Sequence, residues 1–372
     1  MATEMNVLKA PFPYFGGKSS VAPLVWERLG NVPNYVEPFF GSGAILLGRP
    51  HEPQTETVND LDGFIPNFWR AVQFDPESVA RYVDWPVSEV DLLARHVWLV
   101  RQRETLTDRL HADPEYYDAK IAGWWCWGLC SWIGSGWCSG EGPWQLTEDG
   151  VQKGNGEGAK RQRPHLGDAG QGVNRQLPHL GNAGRGVNRQ RPHLGDAGQG
   201  VNRKRPHLGD AGRGACADWS AHLRQIMQAL SDRLRRVRVC SGDWQRVLGD
   251  SPTIKHGITA VFLDPPYADT AGRDANLYAK DSLTVAHDVR EWAIANGDNP
   301  LLRIALAGYA GEHTMPDTWE CIAWKTPGGY GSQGNGTGRD NAHNERVWFS
   351  PHCLKAEKQM ETLSIFSEAT SA

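Results

Sequence analysis

Four consecutive residues, Asp264-Pro265-Pro266-Tyr267, directly follow the apolar run at residues 258–263. The run is rich in apolar residues without alternation, which indicates a buried strand of a parallel sheet. Ligands bind at the carboxyl ends of such strands. The two prolines lack N–H donors, so the Asp264 carboxylate and the Pro265 carbonyl are paired acceptors that can hold both hydrogens of a planar amine, while Tyr267 stacks on its ring. The predicted chemistry is transfer of a methyl group to that amine; an ordinary acidic turn after a strand is the alternative.

A second segment, residues 35–47, contains a glycine loop between a short strand and an apolar run. The strand is expected to end near Glu37, and Gly41 and Gly43 allow the backbone to approach a ligand closely. The apolar run predicts a helix whose N-terminus favours a carboxylate, such as the methionine end of S-adenosylmethionine. Because a Gly-x-Gly loop alone is a weak signal, a purely structural turn is the alternative.

Two further segments supply polar groups that suit the same ligand. Asp60 ends a strand-like stretch about 20 residues after the glycine loop, the spacing at which acids bind ribose hydroxyls. The alternative is that Asp60 or Asp62 caps the following helix. Tyr14 and Lys18 precede a helical pattern, and Lys18 is expected to pair with the cofactor carboxylate unless it is only a solvated lysine at a helix start.

The order of these motifs resembles the Dam-like class of DNA adenine-N6 methyltransferases, with a phage-type member expected. The resemblance covers about residues 9–70 and 218–350. It implies an α/β, Rossmann-like domain that binds S-adenosylmethionine, with an inserted and mainly helical target-recognition domain, and it adds Asp243 as an acid near the cofactor's adenine. The expected cofactor-binding residues are Tyr14, Lys18, Glu37, Gly41, Gly43, Asp60, Asp243 and Asp264; the expected catalytic residues are Asp264, Pro265, Pro266 and Tyr267.

The implied activity is site-specific methylation of adenine in double-stranded DNA after base flipping, without a metal. Methylation of a cytosine amine or of adenine in RNA remains open, as does a non-catalytic DNA-binding protein on the same fold. The seven cysteines lack the spacing of a disulfide framework and no apolar stretch reaches membrane-spanning length. The expected location is therefore the cytoplasm of a bacterial or phage-infected cell, with no membrane and no obligate protein partner.

The expected division of the chain is a first catalytic part at 1–70, a recognition domain at 71–217, a second catalytic part at 218–352 and a disordered tail at 353–372. A net charge of −4 conceals a basic segment between Lys160 and Arg213, which has eleven Lys or Arg against three acids. The local charge is thus +8, which leaves −12 for the rest of the chain. Such a concentration is typical of phosphate binding.

The basic segment is also a repeat, since four Pro-His-Leu-Gly units recur every 14 residues within 161–216. Each unit offers too little apolar surface to fold alone, so the array is expected to be an exposed extension that contacts DNA backbone, with a passive insertion as the alternative. Metal binding by its four histidines is disfavoured because cysteine and acid partners are missing.

Residues 75–149 show a helical pattern and include six tryptophans between Trp124 and Trp144. Most of these tryptophans are expected in the core of a small helical domain, whereas Trp137 and Trp144 could instead stack on DNA when the base leaves the helix. Residues 326–339 are glycine-rich and are interpreted either as a lid or as a connection.

Overall fold

The computed structural model describes residues 8–14, 17–132, 137–138, 217–266, 285–324 and 344–355, together with the backbone of 144–147 and 150–153. The predictions for Tyr267, for the repeat array, for the glycine-rich segment 326–339 and for residues 356–372 of the tail lie outside these ranges. None of the helices in the described ranges combines the length and the apolar character that crossing a membrane requires.

A seven-stranded mixed sheet forms the centre of the molecule, and a separate hairpin pairs β3 with β4. The strands are β1 (Asn34–Glu37), β2 (Thr55–Asp60), β3 (Trp144–Thr147), β4 (Gly150–Lys153), β5 (Arg238–Ser241), β6 (Thr259–Leu263), β7 (Leu302–Tyr309), β8 (Glu320–Ala323) and β9 (Glu345–Phe349). Their order in the large sheet is β5-β2-β1-β6-β7-β9-β8. The first five are parallel, whereas β9 is antiparallel to both β7 and β8. This topology confirms the predicted α/β, Rossmann-like class.

Eight helices of the described chain surround or extend from the sheet. They are α1 (Ala22–Leu29), α2 (Ala44–Leu47), α3 (Phe64–Phe74), α4 (Pro76–Val83), α5 (Glu89–Ala112), α6 (Ala119–Ser131), α7 (Ala217–Leu234) and α8 (Val285–Asn296). Local sequence explains two of the helix starts. The side chain of Asp75 accepts a hydrogen bond from the Ser78 N–H before α4, and Asp118 does the same for Ile121 before α6.

The central strands are buried on both faces, as their unbroken apolar sequences predict. In β6, Ala260 and Phe262 pack into one core cluster, and Val261 and Leu263 pack into a second cluster on the opposite face. The first cluster continues from the sheet through α3 into α4, α5 and α6. The sheet and the helical segment that follows α3 therefore share apolar packing.

The tryptophan-rich segment is largely core, as its helical pattern predicts. Trp125 and Trp127 on α6 are buried. Trp137, considered from sequence as a residue that stacks on DNA, is also buried, and its Nε1 donates a hydrogen bond to the Trp125 carbonyl at 3.0 Å. Its ring lies against Gly128, where α6 has room for an indole. The DNA-stacking interpretation is therefore wrong for Trp137, and the segment ends in the β3–β4 hairpin instead of continuing as helix.

Candidate active site

A cleft opens where the strand order reverses, at the carboxyl ends of β1, β2 and β6. Because β1 lies between β2 and β6, the segments after these strands meet at one edge of the sheet. Residues from well-separated parts of the sequence line the cleft. Those named from sequence are Tyr14, Lys18, Glu37, Gly41, Asp60, Asp243, Asp264 and Pro266.

The glycine loop after β1 has a left-handed backbone at both of its glycines. Gly41 has a φ of +47°, and a methyl group added there would lie 2.7 Å from the Tyr14 ring. Gly43 has a φ of +68° and is not among the residues lining the cleft, because it packs under Phe40 and Trp69. The glycines are thus required by both conformation and contact.

The helix that follows this loop is shorter than its apolar sequence suggested. It comprises the four residues of α2, and its N-cap Gly43 contributes no side-chain cap. A single turn aligns few peptide dipoles, so its contribution to carboxylate binding is small. The position of the loop is instead maintained by a hydrogen bond of 3.0 Å from the Trp69 indole N–H to the Gly41 carbonyl.

Asp60 lies at the end of β2, next to the glycine loop. Its carboxylate accepts hydrogen bonds from the N–H groups of Gly41 and Asp62, each at 3.0 Å. Burial raises the pKa of Asp60 to about 7, although these backbone hydrogen bonds favour the charged form and oppose the shift. Hydroxyl groups of a ligand in the cleft would meet this carboxyl at the rim of the loop.

Asp62 has other partners than Asp60, and they lie on the side of the loop that faces α5. Its Oδ1 accepts a hydrogen bond from the Phe64 N–H at 3.3 Å, close to the start of α3, and forms an ion pair with Arg103 at 3.1 Å. The N-cap of α3 is Gly63, so neither acid occupies the capping position that the sequence left open for them, although Asp62 lies directly before it. Asp62 also lines the cleft, so the choice between the two acids as the ribose ligand stays a prediction.

Glu37 ends β1 and is almost completely buried beneath the cleft. Its carboxyl accepts a hydrogen bond from the Tyr35 hydroxyl at 2.8 Å. Burial raises the pKa of Glu37 well above its ordinary value, and the charges of Asp264 and Asp60 add to that effect. Three carboxyl groups from three strand ends therefore share one small region, and their burial and mutual repulsion favour the neutral form of Glu37.

Lys18 lies against the predicted catalytic loop. Its Nζ is 3.0 Å from Asp264 Oδ1, and the lysine side chain is 5% exposed against 20% for the aspartate. Trp324 lies nearby, with its ring centroid 5.8 Å from the same Nζ. A partner so far away in sequence cannot be identified from local pattern. The predicted contact of Lys18 with a cofactor carboxylate stays a prediction beside this observed pair.

The prolines of the catalytic loop differ in exposure. Pro265 is buried directly after β6, and Pro266 is partly exposed and lines the cleft. Asp264 is thus placed at the end of a fully buried strand, as the sequence predicted. The proposed acceptor role of the Pro265 carbonyl and the stacking role of Tyr267 stay predictions.

Asp243 completes the far wall of the cleft. Its side chain is exposed and accepts a hydrogen bond from the Gln245 N–H at 2.9 Å. Asn59, which sequence reasoning missed, ties this wall to the glycine loop because its Nδ2 donates to the carbonyls of Pro38 and Gly242 at 3.1 and 2.9 Å. An amide just before a strand-end acid was the available signal. At the same wall, the rings of Phe39 and Trp244 are stacked with their centroids 6.2 Å apart.

The N-terminal part of the sequence that lines this cleft matches the model of a known family. Residues 14–94 match the family model of the D12 class N6 adenine-specific DNA methyltransferase. Over these residues the chain is similar to the D12 class. No curated protein sequence matches it. The D12 match spans Tyr14, Lys18 and the strand ends of β1 and β2, whereas Asp243 and Asp264 lie beyond it. The predicted resemblance to the Dam-like methyltransferases is thus confirmed for the motifs that lie within residues 14–94.

Proposed function

We propose that the protein transfers a methyl group from S-adenosylmethionine to the N6 amine of adenine in double-stranded DNA. The D12-class match supports the reaction type. The observation that carries the proposal is that one cleft gathers Tyr14, Lys18, Glu37, Asp60 and Asp264 from segments that are far apart in sequence. The residues predicted to bind a methyl donor and the residue predicted to bind an amine thus line the same cleft.

The cleft has hydrogen-bonding groups that suit the ribose of a nucleoside. Asp60, with a pKa of about 7, is assigned to accept hydrogen bonds from the ribose hydroxyls in its ionised form, whereas burial keeps the pKa of Glu37 well above its ordinary value and so favours its neutral form. Asn59 adds a buried Oδ1 that has no hydrogen-bond partner among the described residues. Such an atom is costly to leave unsatisfied, which supports a ligand donor at this wall. Bound S-adenosylmethionine would supply a methyl group on a sulfonium.

Asp264 is assigned to orient the acceptor amine. Its carboxylate accepts one amine hydrogen and the Pro265 carbonyl accepts the other, so the nitrogen lone pair is directed toward the methyl carbon. The bond from carbon to sulfur breaks as the bond from carbon to nitrogen forms, and one amine proton then leaves to water. Because that proton becomes acidic only as the new bond forms, no strong base is needed in the ground state.

Lys18 is assigned to hold the Asp264 side chain in this orientation. The ion pair is largely buried on the lysine side, which restricts the aspartate more than a solvated pair would. The N6 amine of a paired adenine is inaccessible to such a cleft, so the base must leave the duplex and enter it. Tyr267 is assigned to stack on that base.

The basic array at 161–216 is proposed to contact the DNA backbone next to the cleft. The segment from Lys160 to Arg213, which contains almost all of this array, has a charge of +8 against −12 for the rest of the chain, so nonspecific attraction to phosphates is concentrated there. This partner assignment depends on charge alone. It is independent of the chemistry assigned to Asp264.

The test is the replacement of Asp264 by Ala, assayed with a radiolabelled methyl donor and mixed-sequence DNA. We expect methyl incorporation to fall at least about 100-fold, the size of effect typical of a lost orienting group. Asp250→Ala, at an exposed site outside the cleft, is the control. Digestion to nucleosides and mass spectrometry identifies the product as N6-methyladenine, a methylated cytosine or a methylated RNA base.

A second variant guards against simple misfolding. Asp264→Ala leaves the buried Lys18 without this partner, so the double change Lys18→Met with Asp264→Ala removes the stranded charge. Both variants should retain a cooperative unfolding transition. Unchanged incorporation by a folded variant would refute the role of Asp264, and a wild-type protein without turnover would favour a non-catalytic DNA-binding protein.

A further inference from the structure

Asn59 directly precedes Asp60 in β2 and bridges the loops that follow the two neighbouring strands. Its side chain is buried, and β2 lies between β1 and β5. The Nδ2 group donates to the Pro38 carbonyl after β1 at 3.1 Å and to the Gly242 carbonyl after β5 at 2.9 Å. One amide group therefore joins two loops that are far apart in sequence.

The orientation of this amide is fixed by its partners. Both partners are carbonyl oxygens, which only accept hydrogen bonds, so the NH₂ end of the amide must face them. Oδ1 is then directed away from both carbonyls, and it has no hydrogen-bond partner among the described residues. The cost of leaving that buried oxygen unsatisfied is comparable to the stability gained from the two hydrogen bonds. The bridge is therefore expected to determine the shape of the cleft more than the stability of the fold.

Backbone hydrogen bonds hold the same two loops at the end of β2. The Phe40 N–H donates to the Asn59 carbonyl, and the Gly242 N–H donates to the Asp60 carbonyl, each at 3.0 Å. Each loop thus has a backbone hydrogen bond to β2 and donates its own carbonyl to the Asn59 side chain as an acceptor. Loss of that side chain would remove the one amide that both loops share.

Each of the bridged loops carries an aromatic side chain at the cleft. Phe39 directly follows Pro38, and Trp244 lies two residues after Gly242. Their rings are stacked with an interplanar angle of 29°, and both residues line the cleft together with Asp243. Such a surface suits the flat face of a purine. Because the position of each ring depends on its loop, the spacing of the loops determines how much of a flat ligand the rings can contact.

We propose that Asn59 is a positioning residue that holds the loops of Phe39 and Trp244 at the spacing required by the adenine of the methyl donor. This inference rests on the proposed function. Without the amide, the carbonyls of Pro38 and Gly242 would lose their shared donor, which is costly at a largely buried site. The loops would move until these carbonyls meet another donor, and the two rings would move with them. The methyl donor would then bind more weakly.

The test compares substitutions of Asn59 with the same substitutions of Asn34, which makes similar contacts elsewhere. Asn34 is buried, its Nδ2 donates to the carbonyls of Pro252 and Thr253, and its Oδ1 also has no partner among the described residues. It lies at the start of β1, whereas the cleft is at the carboxyl end of that strand. Asn34→Ala and Asn34→Asp should therefore leave the Kd for S-adenosylhomocysteine unchanged.

Equilibrium dialysis gives the Kd for S-adenosylhomocysteine, and urea denaturation identifies the variants that fold. We expect Asn59→Ala to weaken binding about tenfold, the effect of losing about one buried hydrogen bond. Asn59→Asp has nearly the same volume but should weaken binding more, because an oxygen replaces the NH₂ group opposite two carbonyls. With saturating methyl donor and DNA, kcat should stay within about threefold of the wild type, since the pair of Lys18 and Asp264 is separate from this bridge.

Asn59→Ala with the wild-type Kd would overturn the inference, and this arm decides alone if Asn59→Asp does not fold. Tighter binding by Asn59→Asp than by Asn59→Ala would also overturn it, because side-chain volume and not the donor would then be decisive. So would an equal fall in kcat and in affinity, which identifies general damage. Wild-type turnover with unaffected Asn59 variants would leave the proposed function intact, whereas a wild-type protein that binds no S-adenosylhomocysteine would overturn both.

Discussion

Raising the pH from 6 to 8 should strengthen binding of S-adenosylhomocysteine, and Asp60 should account for the change. Burial raises the pKa of this carboxyl to about 7 from an ordinary value of 3.8. In the ligand-free protein Asp60 is therefore mostly protonated at pH 6 and mostly ionised at pH 8. Ribose hydroxyls donate to the ionised form, so binding selects it and releases a proton below pH 7.

The magnitude follows from the ionised fraction. A group with a pKa of about 7 is about 9% ionised at pH 6 and about 91% ionised at pH 8, so the affinity should rise about tenfold over that interval. Above pH 8 the affinity should level off. The sign for stability is opposite: protonated Asp60 stabilises the ligand-free protein fully below pH 3.8, and this contribution is lost as the pH rises through about 7.

The assay is calorimetric titration with S-adenosylhomocysteine at several pH values in buffers of different ionisation enthalpy. Subtracting the profile of Asp60→Asn from that of the wild type isolates the Asp60 contribution from titration of the ligand. Asp250→Asn, at an exposed acid outside the cleft, is the control. Parallel profiles for the wild type and Asp60→Asn would refute the assignment, because proton release would then come from another group, with Glu37 as the next candidate.

Three further predictions concern the loop, the tryptophans and the repeats. Gly41→Ala should abolish cofactor binding in dialysis and destabilise the protein by about 1–2 kcal/mol, since an added methyl group meets the Tyr14 ring and the backbone is left-handed; unchanged binding would contradict the close contact between this loop and Tyr14. Trp137→Ala should lower the free energy of unfolding by about 3–5 kcal/mol in urea denaturation, as for a buried tryptophan; a loss of DNA affinity at unchanged stability would instead restore a DNA-stacking role. Deletion of 161–216 should leave cofactor binding intact but reduce the slope of log DNA affinity against log salt by about 5, if about six phosphates are contacted. An unaltered slope would make the array a passive insertion.

The strand ends of the cleft could be predicted from sequence because each is marked locally. The apolar run before Asp264 does not alternate with polar residues, which marks a buried strand. Asp60 ends its own strand-like stretch about 20 residues after the glycine loop, the spacing expected for an acid that binds ribose. Parallel strands then bring these ends to one edge of the sheet. Because the strands are parallel, residues that are recognised separately at the ends of different strands lie together in one site.

The contacts across the cleft could not be predicted in this way. Lys18 and Asp264 meet through tertiary packing, and no spacing rule relates them. Trp137 follows a glycine-rich stretch that suggests an exposed loop, but the absence of a side chain at Gly128 creates the space that buries it. Arg103 belongs to a helix whose surface looks ordinary in sequence, and only the packing of α3 against α5 brings it to Asp62.

From α7 onward the chain packs again on the first part of the catalytic sheet, which suggests that the protein can be produced as two separate polypeptides. Arg233 on α7 forms two hydrogen bonds to Glu56 at 2.6 and 2.8 Å, and Gln73 on α3 donates to the carbonyls of Leu234 and Val237. Beyond α7, β5 and β6 pair with β2 and β1. The polypeptides on either side of residues 154–216 are thus joined by strand pairing and buried ion pairs as well as by the peptide chain. Two fragments expressed separately, ending at 153 and starting at 217, should therefore reassemble into one folded protein without a covalent link, and copurification of the two fragments would test this.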